Sequence, residues 1–166
     1  MRTIRTVRCE LHYEVLTNKY QICGKRLSGI CEQTVRSLRK RRASLCMLFV
    51  SDQKMRVYNE RFFARMRTTD VIAIPWKQDS YDRALKHFLG DVIISLDRAR
   101  YQAPRYNTTI AEEYAIYVIH GILHLCGYDD TVPREREKMF ERQSTILNTC
   151  KDAGLISGRL IRWSAG

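Results

Sequence analysis

Two histidines four residues apart, then a glycine and two aspartates, stand in His120-Gly121-Ile122-Leu123-His124-Leu125-Cys126-Gly127-Tyr128-Asp129-Asp130. On a helix, positions i and i+4 share a face, so both imidazoles can reach one ion at about 2.0–2.1 Å. Gly127 suits the left-handed conformation that ends a helix and turns the chain back, which carries residue 130 toward the histidines. Two histidines and a carboxylate hold zinc in hydrolytic sites and leave a position for water, whose pKa falls toward neutrality on the ion. One divalent ion, zinc, between His120, His124 and Asp130 is therefore expected. The competing reading of a histidine on an apolar helix is a satisfied core residue; the glycine and carboxylate at the right distance favour the metal.

The spacing parallels the HExxHxxGxxH of metzincin proteases, with a carboxylate in the third ligand place. The glutamate that serves those enzymes as general base is replaced by Gly121, so peptide hydrolysis by that route lacks its proton acceptor. A glycine there is also expected to leave room for a bulky group such as a phosphodiester to approach the ion.

A second segment, from Asn59 to Asp70, interleaves Arg61, Arg65 and Arg67 with Phe62 and Phe63. Arginine suits phosphate, and aromatic rings suit base stacking in single-strand binders. The phenylalanines are expected in the core; the arginines are either a solvated face or phosphate contacts.

The elements that must position these residues are legible from periodicity. Residues 3–15 partly alternate and suggest an opening strand. Leu27 to about Arg42 reads as a helix ending in a basic cluster, which either complements the helix dipole or meets RNA. Residues 45–50 read as a strand buried on both faces, followed by a Ser51-Asp52 cap and a helix to about Phe63. Residues 71–74, stopped by Pro75, and 91–95 are further strands, and 76–89 reads as a surface excursion. Thr109 and Glu112 form a capping box before a helix over 110–126, and Pro133 opens another to about Cys150. Strands alternating with helices imply an α+β fold: a small mixed sheet flanked by helices, with the histidine helix central and residues 1–166 one domain.

Composition sets limits on partners. Lys and Arg number 29 against 18 Asp and Glu, a net charge of +11, which favours a polyanion, nucleic acid ahead of a membrane surface. No apolar run suits a membrane span, and no apolar signal core follows Met1, so a cytoplasmic protein is expected. The six cysteines form no CxxC pair and read as reduced thiols.

The segment His120–Asp130 resembles the HGxLHLxGYDH signature of the YbeY-type endoribonucleases in all but its last position. Residues 49–52, 69–75 (TDVIAIP) and 89–95 (LGDVIIS) resemble further blocks of that family in the same order. The resemblance covers about residues 45–145. It implies a small α+β metal-dependent hydrolase that cleaves single-stranded RNA, matures the small-subunit ribosomal RNA 3′ end and serves ribosome quality control. Its three metal ligands carry over to His120, His124 and position 130, with Asp129 as fallback. Where the family has histidine, this chain has Asp130, which lowers the site's positive charge and makes Mn²⁺ or Fe²⁺ more competitive. Where the family helix has an arginine, this chain has Phe63, with Arg61 and Arg65 nearby to substitute. The expected function is a metal-dependent endoribonuclease, with Arg61, Arg65 and Arg67 steadying phosphate. The alternatives are an RNA- or ribosome-binding assembly factor with a structural or weak metal, and a zincin-type amide hydrolase.

Overall fold

Along residues 43–50 every second side chain is buried, with Ala43, Leu45, Met47 and Phe49 at 3% exposure or less, the pattern of a strand with one face on a core. The computed structural model describes residues 1–76 and 85–164. In chain order its elements are β1 (Arg2–Arg5), β2 (Cys9–Val15), β3 (Tyr20–Ile22), α1 (Gly24–Ser37), β4 (Ala43–Val50), α2 (Asp52–Phe63), β5 (Val71–Pro75), β6 (Phe88–Ser95), α3 (Leu96–Gln102), a 3-10 turn (Ala103–Arg105), α4 (Ile110–Leu125), α5 (Pro133–Asp152) and β7 (Ile161–Trp163). Five strands make one sheet in the order β1-β2-β4-β6-β5, and β3 pairs with β7 in a separate antiparallel ribbon. The central strands β2, β4 and β6 run parallel, and β1 and β5 are antiparallel edges. This is the expected α+β fold with a mixed sheet and flanking helices.

Parallel neighbours need a crossover, and α1 supplies it between β2 and β4. Leu27, Ile30, Cys31 and Val35 form its buried face. The helix stops at Ser37, earlier than its periodicity suggests, because Arg39 takes a left-handed conformation (φ 56°) and Lys40 N–H returns to the Val35 carbonyl at 3.2 Å. Only Arg36 therefore lies in the last turn, so the dipole account of the basic cluster covers that residue and not Arg39, Arg41 or Arg42. The opening strand is likewise two strands, broken where the Thr6 hydroxyl and the Arg8 N–H both bond the Glu32 carboxylate.

α4 packs on β5 and β6 and is flanked by α1, α3 and α5. Its two faces are both apolar, and all but a few of its residues are buried, as befits a helix at the centre of a core. The capping box is formed: the Thr109 hydroxyl accepts from Glu112 N–H, and the Glu112 carboxylate accepts from Thr109 N–H. On the sheet's other face, Met55 of α2 covers Val50, Ile72 and Ile93. That cover is local, so Ser44, Cys46 and Leu48 stay half-exposed; β4 is buried on both faces only at its end, short of what its apolar run suggests.

The surface excursion expected at 76–89 falls mostly on 77–84, outside the described residues, and its last two positions belong to β6. All six cysteines are free thiols. Among the described residues no helix is long and apolar enough to cross a membrane.

Candidate metal centre

His120 and His124 occupy the last two turns of α4 and are among its partly exposed residues, at 20% and 25% side-chain exposure. Their rings meet edge to face, and the two Nε2 atoms lie 3.0 Å apart. The helix ends at Leu125; Gly127 then takes φ 91°, and Tyr128 N–H bonds back to the Leu123 carbonyl at 3.1 Å. This reversal lays Asp130 against the rings, its carboxylate oxygens 3.6 Å from His120 Nε2 and 3.8 Å from His124 Nε2. The ligand atoms of the three residues all lie within 4.8 Å of one another.

The outward ring nitrogens are already engaged. His124 Nδ1 lies 3.0 Å from the Tyr128 carbonyl, an oxygen that only accepts, so Nδ1 carries a proton and Nε2 is the nitrogen left to offer a lone pair to a metal. His120 Nδ1 lies 3.0 Å from the Gln143 side-chain oxygen of α5, which assigns that ring the same tautomer. Burial, then the nearby His124, pushes the pKa of His120 below its ordinary value, which favours the neutral ring that metals require. Two Nε2 atoms converging beside a carboxylate fit a divalent cation, and partners on the far nitrogens are the usual outer support of metal-binding histidines.

Asp129 is turned to other work. Its carboxylate accepts from Thr131 N–H at 2.9 Å and the Thr131 hydroxyl at 2.8 Å, and these bonds hold its pKa below the ordinary value. Arg136 of α5 secures the same loop by donating from Nε to the Asp130 carbonyl at 2.7 Å.

The three residues sit in a cleft of about 450 Å³ beside β5. Its lining also includes the end of α2 and the loop after it: Asn59, Phe63, Arg65 and Arg67. Ala64 takes a left-handed conformation (φ 53°) and ends α2. The buried Asn59 amide then donates to the Arg67 carbonyl at 2.6 Å, which fixes the path of the loop. Arg61 lies in the last turn of α2, exposed and off the cleft lining. Among the described residues, none of these three arginines has a carboxylate within 4.0 Å.

Two expectations are corrected here. Phe62 and Phe63 are 47% and 48% exposed: Phe62 stacks on Tyr58 with ring centres 6.3 Å apart, and Phe63 lines the cleft. The buried residues of α2 are Met55 and Asn59 instead, and Tyr58 packs beside Met55's cluster. Gly121 does not open space at the ion. A Cβ there would meet Val92 Cγ1 at 2.4 Å, so the glycine lets α4 lie close on β6. Gln143 went unnoticed in the sequence; its position on α5 gives no local signal of contact with α4. A wider depression of about 720 Å³ near Arg5, Arg8 and His87 contains no comparable set of converging ligand atoms among the described residues.

A family model described as endoribonuclease YbeY matches residues 12–151. Proteins named endoribonuclease YbeY are similar to the chain. That of Acholeplasma laidlawii is 32% identical over 131 residues, covering 79% of this chain and 91% of its own. That of Endomicrobium trichonymphae is 36% identical over 113 residues, covering 68% and 75%. That of Staphylococcus aureus strain RF122 is 35% identical over 111 residues, covering 64% and 72%. In fold, the chain is similar to the solution structure of TM1509 from Thermotoga maritima, with a TM-score of 0.60 and 24% identity over 87% of this chain and 91% of that one.

Proposed function

The chain belongs to the YbeY family of endoribonucleases, and from that premise we propose that it is a metal-dependent endoribonuclease that cleaves single-stranded RNA. Its physiological substrate is ribosomal RNA, at the small-subunit 3′ end, and it works on the ribosome in the cytoplasm, in maturation and quality control. The observation that supports the metal dependence is the pair of inward Nε2 atoms 3.0 Å apart beside the Asp130 carboxylate.

His120, His124 and Asp130 hold the ion, zinc by their donor types, with Mn²⁺ or Fe²⁺ competing through the carboxylate. Bound there, such an ion supplies Lewis acidity toward a phosphodiester and acidifies water. The chain's own residues do the rest. Gln143 and the Tyr128 carbonyl keep both rings in the ligating tautomer. Arg65 and Arg67, which line the same cleft as the histidines and have no carboxylate within 4.0 Å among the described residues, bind the phosphate and offset charge that develops on it; Arg61 meets the strand further out. Arg65 stands two residues from Phe63 and supplies a guanidinium where that position gives none. The cleft's apolar wall of Phe63 and Pro75 receives a nucleotide whose base has left any stack, which favours single strands over duplex.

The test is metal content by mass spectrometry on protein purified without tags or chelators, beside Asp130→Ala, followed by cleavage of matched single-stranded and duplex RNA. About one ion per parent chain, much less in the variant, and cleavage confined to single strands are expected. A parent that refuses added zinc and manganese sinks the metal mechanism. RNA binding without cleavage by the loaded protein would leave an assembly factor in its place.

A further inference from the structure

Arginines and aromatic rings also alternate outside the cleft, along α3 and the turn that follows: Arg98, Arg100, Tyr101, Arg105 and Tyr106. The Arg105 guanidinium stands 3.9 Å from the centre of the Tyr101 ring, and that of Arg98 stands 5.6 Å from the same ring. Tyr101 is 49% exposed, so this ladder of planar groups opens to solvent, and Tyr106, next to Arg105 in the chain, is 66% exposed. Arg100 is used elsewhere, over the Trp163 ring. Among the described residues Arg105 has no carboxylate within 4.0 Å, so its charge is free for an outside partner.

The ladder is tied to the cleft by short steps. Arg98 Nε lies 3.2 Å from one oxygen of Asp52, and the other oxygen accepts from the Thr68 hydroxyl at 3.2 Å. Ser95 N–H, at the start of α3, bonds the Asp70 carbonyl at 2.8 Å. The loop that carries Arg65 and Arg67 into the cleft is thus fastened to the start of α3 at Thr68 and Asp70.

We propose that Arg98, Tyr101, Arg105 and Tyr106 form a second platform for single-stranded RNA, holding nucleotides that flank the one in the cleft. The proposal rests on the nuclease reading above and adds to it how the strand is gripped beyond the metal. A base stacks on the exposed guanidinium plane of Arg105 or the ring of Tyr106, and Arg105 also meets the phosphate between them. Stacking of this kind tolerates any sequence, because every base has a π-face, and it requires bases that are free of a duplex. A role confined to surface packing of α3 would account for the ring contacts but predicts no effect on RNA.

The test is fluorescence anisotropy of the protein as purified with a labelled, unstructured, 2′-O-methylated RNA of about 16 nucleotides, long enough to pass both sites, across a range of salt. Cleavage of the unmodified RNA of the same sequence is measured in parallel. Arg105→Ala and Tyr106→Ala change exposed side chains and should each weaken binding about tenfold. Arg105→Ala should also lower the slope of log affinity against log salt by about 0.7, whereas Tyr106→Ala should leave that slope unchanged. If the parent binds and cleaves RNA while both variants bind within twofold of it, the platform is wrong and the nuclease reading stands. If the parent neither binds nor cleaves RNA, the nuclease reading fails and takes the platform with it.

Discussion

Asn59 and Arg67 are joined by one hydrogen bond, from the buried side-chain amide to the backbone carbonyl at 2.6 Å, and that bond sets where the arginine loop leaves α2. Asn59→Ala removes the donor and leaves the carbonyl without it, which should lower stability by about 1–3 kcal/mol in denaturant unfolding. Because Arg65 and Arg67 then lose their fixed course, RNA cleavage should fall at least about tenfold under conditions where the variant is still folded. Full cleavage by a destabilised Asn59→Ala would show that the loop's path is set by something else.

Gln143 is the support of His120 from a different helix. Gln143→Leu keeps the volume and removes the acceptor at Nδ1, so the ring is free to turn or change tautomer. Zinc affinity, read by competition with a chromophoric chelator, should drop about 10–100-fold. The metal-free variant should melt close to the metal-free parent, since the side chain is only part-buried. Unchanged affinity would mean the helix alone aims His120.

The pH dependence of the α4 cap has a definite sign. The Lys151 ammonium, 2.6 Å from Glu112, and the Thr109 N–H hold that carboxyl down to about 2 from an ordinary 4.5. A depressed folded-state pKa means stability that is present above the ordinary value and lost as pH falls from about 4.5 toward 2. Since Lys151 is 42% exposed, solvent screens the pair, and Glu112→Gln should lower stability at neutral pH by only about 1 kcal/mol. Thermal melts of parent and variant should converge as pH drops through that window; a gap that persists at pH about 2 would contradict the assignment.

Gly121 tests the packing of the histidine helix. Gly121→Ala sets a methyl 2.4 Å from Val92 Cγ1 and should cost about 1–3 kcal/mol through overpacking, despite alanine's better helix propensity. Adding Val92→Ala opens the space, so the double variant should lose less than the two singles summed. Additive losses would rule out the clash.

The candidate metal segment was the most legible part of the sequence because its information is local: helical spacing aligns His120 with His124, and Gly127 and Asp130 follow within six residues. The capping box at Thr109 and Glu112 and the Ser51 cap were readable for the same reason. Apolar runs predicted strands but not how fully a second layer covers them, hence the half-exposed Cys46 and Leu48. The exposure of Phe62 and Phe63 was missed because α2 touches the sheet through few residues, and residue type does not say which. Short elements such as β3, β7 and α3 carry too few residues for a period, and their definition comes from partners far along the chain. Gly121 was read by what stands before it in sequence; its constraint comes from Val92 on a strand beneath it.

The order of elements along the chain has a consequence for how the protein is made. All five strands of the main sheet, and the crossover helix α1, lie within the first 95 residues, whereas the three candidate ligands come from residues 120–130. During synthesis, which presents the N-terminal part first, every strand of the main sheet precedes every candidate ligand. A product truncated before α4 therefore lacks the whole candidate ligand set, together with the helix that covers the sheet's main core face.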